Sequence, residues 1–358
     1  MKNDKYLKKY KWSLSPSLFI LLFYMISLYY DKNNLKNKSA FFDVLNSLLH
    51  IENANIYVTG SNSQFLSKDI LTTFRGRSFQ IHMMPLSFSE YMEDTSLSKE
   101  EAYQEYLIYG GLPMIREYKT EELKKEYLNS IFDEIYNEDL KERYTIQNEQ
   151  EFDELIDIAS SQIGCPCSYK SLSNTFNSEK QKLISPKTIE KYLSYLESAF
   201  VLNKAQKYDI KGKSYINAYQ KYYFEDLGLR NVRLNFRQNE KTHLMENLIY
   251  NELKYRGYSI DVGMVEKNER NKEGKQVKKQ LEVDFVCNKN DKKYYIQSAY
   301  SIEDLDKYAQ EEKSLLNIKD NFKKIIISYD ALATHRNQNG TLIIRLFDFL
   351  LNPDSLEQ

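Results

Sequence analysis

A short apolar run that ends in small polar residues constrains the fold of this chain more than any other feature. Residues 56–58 (Ile-Tyr-Val) lead directly into residues 59–62 (Thr-Gly-Ser-Asn). This pattern is typical of a buried strand that delivers polar side chains to the edge of a sheet. In an open α/β sheet, ligands bind at the carboxyl ends of the strands. The sequence therefore predicts an α/β fold with a binding edge at residues 59–62.

The length and charge limit the classes of protein that this chain can belong to. Its 358 residues suffice for two or three domains, and 42% hydrophobic residues exclude disorder of the whole chain. The formal net charge is −1, so contact with nucleic acid requires a local basic patch. The three cysteines, an odd number with no histidine close to the pair Cys165 and Cys167, argue against a disulfide framework and a zinc site.

An apolar segment at residues 17–30 follows a basic start and admits two interpretations. It could be a signal peptide or membrane anchor, or a buried element of the first domain. A helix over this segment would span about 21 Å, short of the roughly 30 Å of the hydrocarbon core. We favour the buried element, so the prediction is a cytoplasmic protein without a membrane partner.

The middle of the chain predicts a winged helix-turn-helix. A short helix at residues 171–176 precedes Ser185 and Pro186, which are typical of a helix start. Two strands, at residues 201–210 and 214–224, then flank a Lys-Gly-Lys turn. Upstream, apolar spacing predicts helices at residues 41–50, 100–109, 121–137 and 149–163.

The last third of the chain predicts a second α/β domain. A helix at residues 245–256 is followed by a strand near residues 258–262 and a charged hairpin tip at residues 269–279. The remaining predicted elements are strands at 281–287 and 293–298, a helix at 302–316, a strand at 324–328 and an apolar closing segment at 342–351.

Ten short motifs in a fixed order give a resemblance to a known family. From about residue 41 onward, the chain resembles prokaryotic AAA-type ATPases that carry a winged helix and a C-terminal domain of unknown function. The motifs are VTGSNS (58–63), FRGR (74–77), PLSFSEY (85–91), YGGLP (109–113), SPKTIEKYLSYLESAF (185–200), KYDIKGK (207–213), KYYFEDLGLRN (221–231), MENLIYNEL (245–253), LEVDFV (281–286) and YYIQSAYS (294–301).

The resemblance implies a domain organisation. It predicts a partial AAA-type α/β core at residues 41–95, a helical lid at 96–148, a winged helix at 149–235 and a restriction-endonuclease-like α/β domain at 236–358. Residues 1–40 form a divergent apolar N-terminus outside the resemblance.

The resemblance also implies ATP and Mg²⁺ as cofactors and assigns candidate residues to them. Thr59, Ser61 and Asn62 match the sensor position, which orients water against the terminal phosphate. Arg75 and Arg77 match arginines that meet a phosphate in this subunit or a neighbouring one. The alternative is structural, with Arg77 capping a loop and Asn62 holding a turn.

The phosphate-binding half of such a module is missing from the sequence. No G-x-x-x-x-G-K-[ST] motif occurs, and residues 1–40 contain no glycine. The family's acidic pair would fall on Asn33 and Asn34, which are neutral and cannot act as general bases. We therefore predict that this chain does not hydrolyse ATP alone. A truncated or frame-shifted copy and a degenerate paralogue both explain the gap, and the abrupt start of the resemblance favours truncation.

The C-terminal domain carries a second candidate site. Glu246, Asp284 and the segment 297–299 (Gln-Ser-Ala) follow the order E…D…(E/Q)-x-K of restriction-endonuclease-like nucleases. Such a site needs acids for Mg²⁺ and a lysine to position water, and the lysine position holds Ala299. Glu246 and Asp284 remain weak metal candidates, and we interpret the site as a structural remnant.

A local basic patch coincides with the predicted winged helix. Residues 169–213 hold nine lysines against four acidic residues. Lys187 and Lys191 lie at the predicted recognition helix, and Lys211 and Lys213 at the predicted wing, where they suit phosphate contacts with double-stranded DNA. The alternative is a winged helix that contacts a protein partner or a second copy. Function is therefore predicted as ATP binding with nucleotide-driven switching, or as a non-enzymatic DNA- or protein-binding module.

Overall fold

The structure is a computed structural model of the full chain. It describes residues 46–51, 56–57, 79–93, 95–144, 146–179, 184–238, 240–270, 275–303 and 305–358. The chain divides into two compact units, residues 1–60 with 64–80 and residues 61–63 with 81–358. The predicted helix at 41–50 and strand at 56–58 lie partly outside the described residues, and the polar cluster at 59–62 lies wholly outside them. The elements below all belong to the second unit.

Three helices with well-defined starts open this unit. Helix α1 (Phe88–Met92) and helix α2 (Lys99–Tyr109) each begin with a capping box, in which a serine and a glutamate satisfy each other's backbone N–H groups. A 3₁₀ turn (Pro113–Glu117) separates α2 from helix α3 (Glu121–Glu134). Helix α3 continues as a π-helix (Ile135–Lys141), which the sequence pattern did not predict.

Three further helices precede a β-hairpin, as predicted. They are α4 (Glu149–Ser161), α5 (Tyr169–Glu179) and α6 (Pro186–Ser198). The hairpin consists of β1 (Leu202–Asp209) and β2 (Ser214–Phe224), paired antiparallel. The Lys-Gly-Lys turn predicted from the sequence lies at its tip.

A short helix, α7 (Leu227–Arg233), connects the hairpin to the helices before it. The buried Asp226 carboxylate accepts hydrogen bonds from the backbone N–H groups of Gly111 (2.7 Å) and Leu229 (3.1 Å). Arg230 Nε donates to the Ser160 carbonyl at 2.8 Å. Burial raises the pKa of Asp226 to about 6. The YGGLP and KYYFEDLGLRN motifs are therefore joined by structural contacts.

The last part of the chain alternates helices and strands. Its elements are α8 (Lys241–Tyr255), β3 (Ser259–Arg270), β4 (Gln276–Lys289), β5 (Lys292–Ala299), α9 (Leu305–Leu316), β6 (Lys323–Ser328), β7 (His335–Arg336), β8 (Leu342–Arg345), α10 (Leu346–Leu351) and a final 3₁₀ turn (Ser355–Glu357).

One eight-stranded mixed sheet runs through both the hairpin and the C-terminal strands. The strand order is β2-β1-β3-β4-β5-β6-β8-β7. Strand β1 pairs parallel with β3, with Lys207 opposite Val262 and Asp209 opposite Met264. Strands β3, β4 and β5 are antiparallel neighbours, whereas β5–β6 and β6–β8 are parallel. The sheet therefore crosses the domain boundary predicted at residues 235 and 236.

The structure confirms the mixed α/β class and corrects one local prediction. The charged tip predicted at residues 269–279 is shorter, because β3 continues to Arg270 and β4 begins at Gln276. A cross-strand ion pair between Lys278 and Glu266 (3.0 Å) lies in this extension. In the described part of the chain, no helix has the length and apolar character needed to cross a membrane. The cytoplasmic location stays a prediction.

Candidate functional site

The residues assigned to the nucleotide cannot be placed. Thr59, Ser61, Asn62, Arg75 and Arg77 all lie outside the described residues. Their roles as sensor residues and phosphate-contacting arginines stay predictions. The candidate sites that the structure does place are the basic face of the helix–hairpin region and the acidic cluster of the C-terminal domain.

The exposed face of helix α6 carries two of the four lysines predicted to contact DNA. Ser185 Oγ accepts a hydrogen bond from Thr188 N at 3.1 Å, which starts the helix just before Lys187. Lys187 and Lys191 are four residues apart, so they lie on one face, and both are exposed. The opposite face is buried and carries Ile189, Tyr192, Leu193 and Leu196.

The other two lysines lie at the tip of the β1–β2 hairpin. Lys211 and Lys213 are exposed, and Lys213 adopts the left-handed backbone conformation (φ 50°). The Asp209 carboxylate accepts a hydrogen bond from the backbone N–H of Lys211 at 3.0 Å and shapes the turn. The tip therefore leaves both lysine side chains exposed to solvent.

Helices α4, α5 and α6 and the hairpin form one packed arrangement. The backbone of Cys167 pairs antiparallel with Gln220 of β2, through N···O distances of 2.8 and 3.0 Å. Ser173 Oγ of α5 donates to the carbonyl of Ile184 just before α6, at 2.7 Å. A one-residue antiparallel bridge therefore joins the segment before α5 to strand β2.

The base of the same hairpin contributes a lysine to the acidic cluster. Lys221 Nζ of β2 lies 2.9 Å from Glu246 Oε1 of α8, 2.7 Å from Glu282 Oε1 of β4 and 3.5 Å from Asp284 Oδ1 of β4. Tyr223 O–H also donates to Glu246 Oε1 at 2.8 Å. We call Lys221, Glu246, Glu282 and Asp284 the Lys221 cluster.

The Lys221 cluster is mostly buried, although the Glu282 side chain is 37% exposed. The exposed fractions of the Lys221 and Asp284 side chains are 4% and 10%. Burial alone would lower the pKa of Lys221, but the three carboxylates together hold it well above its usual range. Burial, reinforced by Glu246, raises the pKa of Asp284 to about 7 even though Lys221 opposes that rise.

The structure brings together the acids of the predicted nuclease-like site and shows where the 297–299 segment lies. Ser298 N donates to Asp284 Oδ2 at 2.9 Å, so β5 is next to the cluster. Gln297 Nε2 donates to Glu311 of α9 at 2.9 Å. In the described residues, no group of three or more His, Cys, Asp or Glu side chains is arranged to hold a metal ion.

Sequence reasoning missed Lys221, because its partners are remote in the chain. The lysine sought in the motif pattern was at position 299, two residues after Gln297, whereas the structure supplies one from another strand. A signal was present, since Lys221 directly precedes Tyr222, Tyr223 and Phe224 in a strand. A charged residue in such a run indicates a buried charge that needs a partner.

Comparison with known proteins identifies two family matches. The AAA domain matches residues 34–92, and a domain of unknown function, DUF8612, matches residues 100–240. An uncharacterized protein of Haemophilus influenzae is 33% identical over 313 residues, covering 86% of this chain and 74% of that protein. The uncharacterized protein MJ1544 of Methanocaldococcus jannaschii is 30% identical over 323 residues, covering 83% of this chain and 70% of that protein.

One solved structure also aligns with this chain. The crystal structure of protein VC1899 from Vibrio cholerae covers 60% of this chain and 56% of its own at 17% identity. Its TM-score of 0.25 is too low to indicate a shared fold.

Proposed function

We propose that this chain, which belongs to the family of AAA-type ATPase-like proteins that includes the uncharacterized proteins of H. influenzae and M. jannaschii, binds double-stranded DNA through a winged helix. The observation that carries the proposal is the exposure of Lys187 and Lys191 on α6 together with Lys211 and Lys213 at the hairpin tip. These elements stand in the order of a recognition helix and a wing.

The charge distribution supports DNA as the partner. The chain as a whole has a formal net charge of −1, so it has no general attraction for nucleic acid. The four exposed lysines concentrate positive charge on a region with helix–turn–helix–hairpin order. Lysine contacts phosphates as a point charge, which positions a protein on a duplex without reading its sequence. We propose binding with little sequence preference.

The family suggests nucleotide and Mg²⁺ binding in general, and we propose a limited form of it here. Thr59, Ser61 and Asn62 would sense the terminal phosphate, with Arg75 and Arg77 contacting it. No G-x-x-x-x-G-K-[ST] motif occurs in these 358 residues, and the family's acidic pair falls on Asn33 and Asn34, so the proposal is ATP binding without hydrolysis by this chain alone. Absence of any thermal shift with Mg-ATP would rule it out.

The C-terminal element order supports a restriction-endonuclease-like arrangement. Helix α8 is followed by three antiparallel strands, then by helix α9 and a strand parallel to its neighbour β5. Glu246 on the helix and Asp284 on the middle strand both contact Lys221. We propose this arrangement for the domain without proposing nuclease activity.

Binding of a fluorescein-labelled duplex by the full chain, followed by anisotropy over a salt series, tests the DNA proposal. We expect the quadruple variant with Lys187, Lys191, Lys211 and Lys213 replaced by Gln to lose more than about tenfold in affinity. The slope of log K against log salt should fall by about one per lysine removed.

A control variant shows whether a loss of affinity comes from the proposed face or from the removal of lysine charge anywhere on the surface. Lys119 and Lys319 are also exposed but lie outside the helix–hairpin face, and replacing both by Gln should leave the slope unchanged. Equal losses in both variants, or no binding by the wild-type protein, would contradict the proposal. In the second case, a winged helix that contacts a protein partner or a second copy becomes the better account.

A further inference from the structure

The Lys221 cluster has the acids of a metal-dependent phosphodiesterase but a different cation between them. In a site with restriction-endonuclease-like order, two acids hold Mg²⁺ and a separate lysine positions the attacking water. Here the Lys221 ammonium contacts Glu246, Glu282 and Asp284 at 2.9, 2.7 and 3.5 Å. The ammonium lies between the three carboxylates, within 3.5 Å of one oxygen of each, where a divalent ion bridging these acids would have to lie, so these residues as arranged do not fit Mg²⁺.

The position of Lys221 makes displacement by a metal difficult. Its backbone is paired in the sheet, opposite Ala205 of β1, and its side chain is 4% exposed. To bind there, a divalent ion would have to displace the ammonium from the three carboxylates. It would also have to lose water molecules from its own hydration shell. Mg²⁺ in particular dehydrates reluctantly.

The groups around the cluster also suit one ammonium group better than a divalent metal ion. The third position of the motif pattern is Gln297, which is neutral, and its amide N–H is used by Glu311. Tyr223 and the backbone N–H of Ser298 donate to the carboxylates of Glu246 and Asp284. These hydrogen bonds occupy Glu246 Oε1, which Lys221 also contacts, and Asp284 Oδ2, two oxygens that a bridging metal would use.

We propose that Lys221 is the resident cation of this nuclease-type carboxylate cluster, standing where a metal-dependent phosphodiesterase would hold a divalent ion. The C-terminal domain then takes up no catalytic metal, and Lys221 instead fastens strand β2 to helix α8 and strand β4. The inference rests on the proposed restriction-endonuclease-like arrangement and not on DNA binding. A protein that fails to bind DNA therefore leaves it intact.

Native lysine acylation of the wild-type protein, read by mass spectrometry, is the first test. Mn²⁺ serves as the probe metal. We expect Lys221 to stay unmodified with and without excess Mn²⁺, while exposed Lys187 and Lys191 are modified under both conditions. Reactive Lys221 in the metal-free protein, or Lys221 that becomes reactive when Mn²⁺ is added, would overturn the proposal.

A pair of variants at the same position provides the second test. Lys221→Ser removes the ammonium and opens space between the carboxylates, whereas Lys221→Met removes the charge and fills the space. We expect Lys221→Ser to gain one Mn²⁺ site by isothermal titration, at least about tenfold tighter than any site of the wild type. Lys221→Met should gain none, and adding Asp284→Asn should abolish the gain.

The outcomes of the second test are also decisive. A folded Lys221→Ser protein without a new Mn²⁺ site would overturn the proposal, as would a wild-type Mn²⁺ site that Asp284→Asn removes. Circular dichroism checks folding of each variant. If Lys221→Ser does not fold, the acylation experiment on the wild-type protein decides alone.

Discussion

The two ends of the β1–β2 hairpin use the same residue type in opposite ways. At the tip, Lys211 and Lys213 are exposed to solvent. At the base, the Lys221 side chain is 4% exposed and contacts three carboxylates. Exposure, not residue type, therefore separates a lysine that can meet a partner from one that holds the fold together.

The strand geometry explains how one hairpin serves both regions. The register of β1 and β2 shifts between Gln206 and Lys207, so that Gln206 pairs with Gln220 and Lys207 with Ile216. Such an irregularity bends a strand and re-aims its side chains. Beyond it, β1 pairs with β3 of the C-terminal strands, and the tip extends from that sheet. The exposed tip and the buried Lys221 therefore belong to one hairpin, on either side of the register shift.

The largest effect that we expect comes from removing the buried charge. Lys221→Met should lower the free energy of unfolding by about 3–5 kcal/mol, because it leaves buried carboxylates without their cation. Urea denaturation of the full chain measures this change. Lys187→Met, at an exposed site, should change it by less than about 0.5 kcal/mol. Similar small effects from both variants would show that Lys221 contributes no more to folding stability than an exposed lysine does.

The next effect is a pH dependence that Asp284 contributes. Burial raises the pKa of Asp284 from 3.8 to about 7 in the folded protein, so its neutral form is favoured there. Ionising Asp284 in the folded protein therefore lowers the free energy of unfolding as the pH rises from about 4 to 7. The loss reaches its full value above that range, on the order of 2–4 kcal/mol. Asp284→Asn should remove this loss and be more stable than the wild type at pH 8.

Unfolding of both proteins across pH 4 to 8 checks this prediction. The difference in stability between the variant and the wild type should grow with pH and level off above about pH 7. A difference that is constant across the range would show that Asp284 is ionised throughout, with Lys221 outweighing burial and Glu246.

The sequence predicted local structure well because local signals produce it. Ser185 and Pro186 mark the start of α6, and the Lys-Gly-Lys turn marks the hairpin tip. These signals act over a few residues, through capping hydrogen bonds and backbone preferences. Apolar spacing likewise predicted the helices α2, α3 and α4 to within a few residues at each end.

The sequence could not predict the contacts that join distant segments. Lys221 meets Glu246 and Asp284 across 25 and 63 positions, and no local pattern encodes which strand supplies a lysine. The parallel pairing of β1 with β3 is equally non-local, which is why the predicted boundary at residue 235 does not interrupt the sheet. The binding edge predicted at residues 59–62 lies outside the described residues.

We propose that exposed lysines of α6 and the hairpin tip meet DNA, whereas Lys221 stabilises the fold. Native lysine acylation of the full chain, with and without a double-stranded oligonucleotide, tests both halves in one measurement. We predict that the duplex protects Lys187, Lys191, Lys211 and Lys213 from modification, and that Lys221 is unmodified in both samples. Four lysines that stay equally reactive in the presence of duplex, or a Lys221 that is modified without it, would contradict the account.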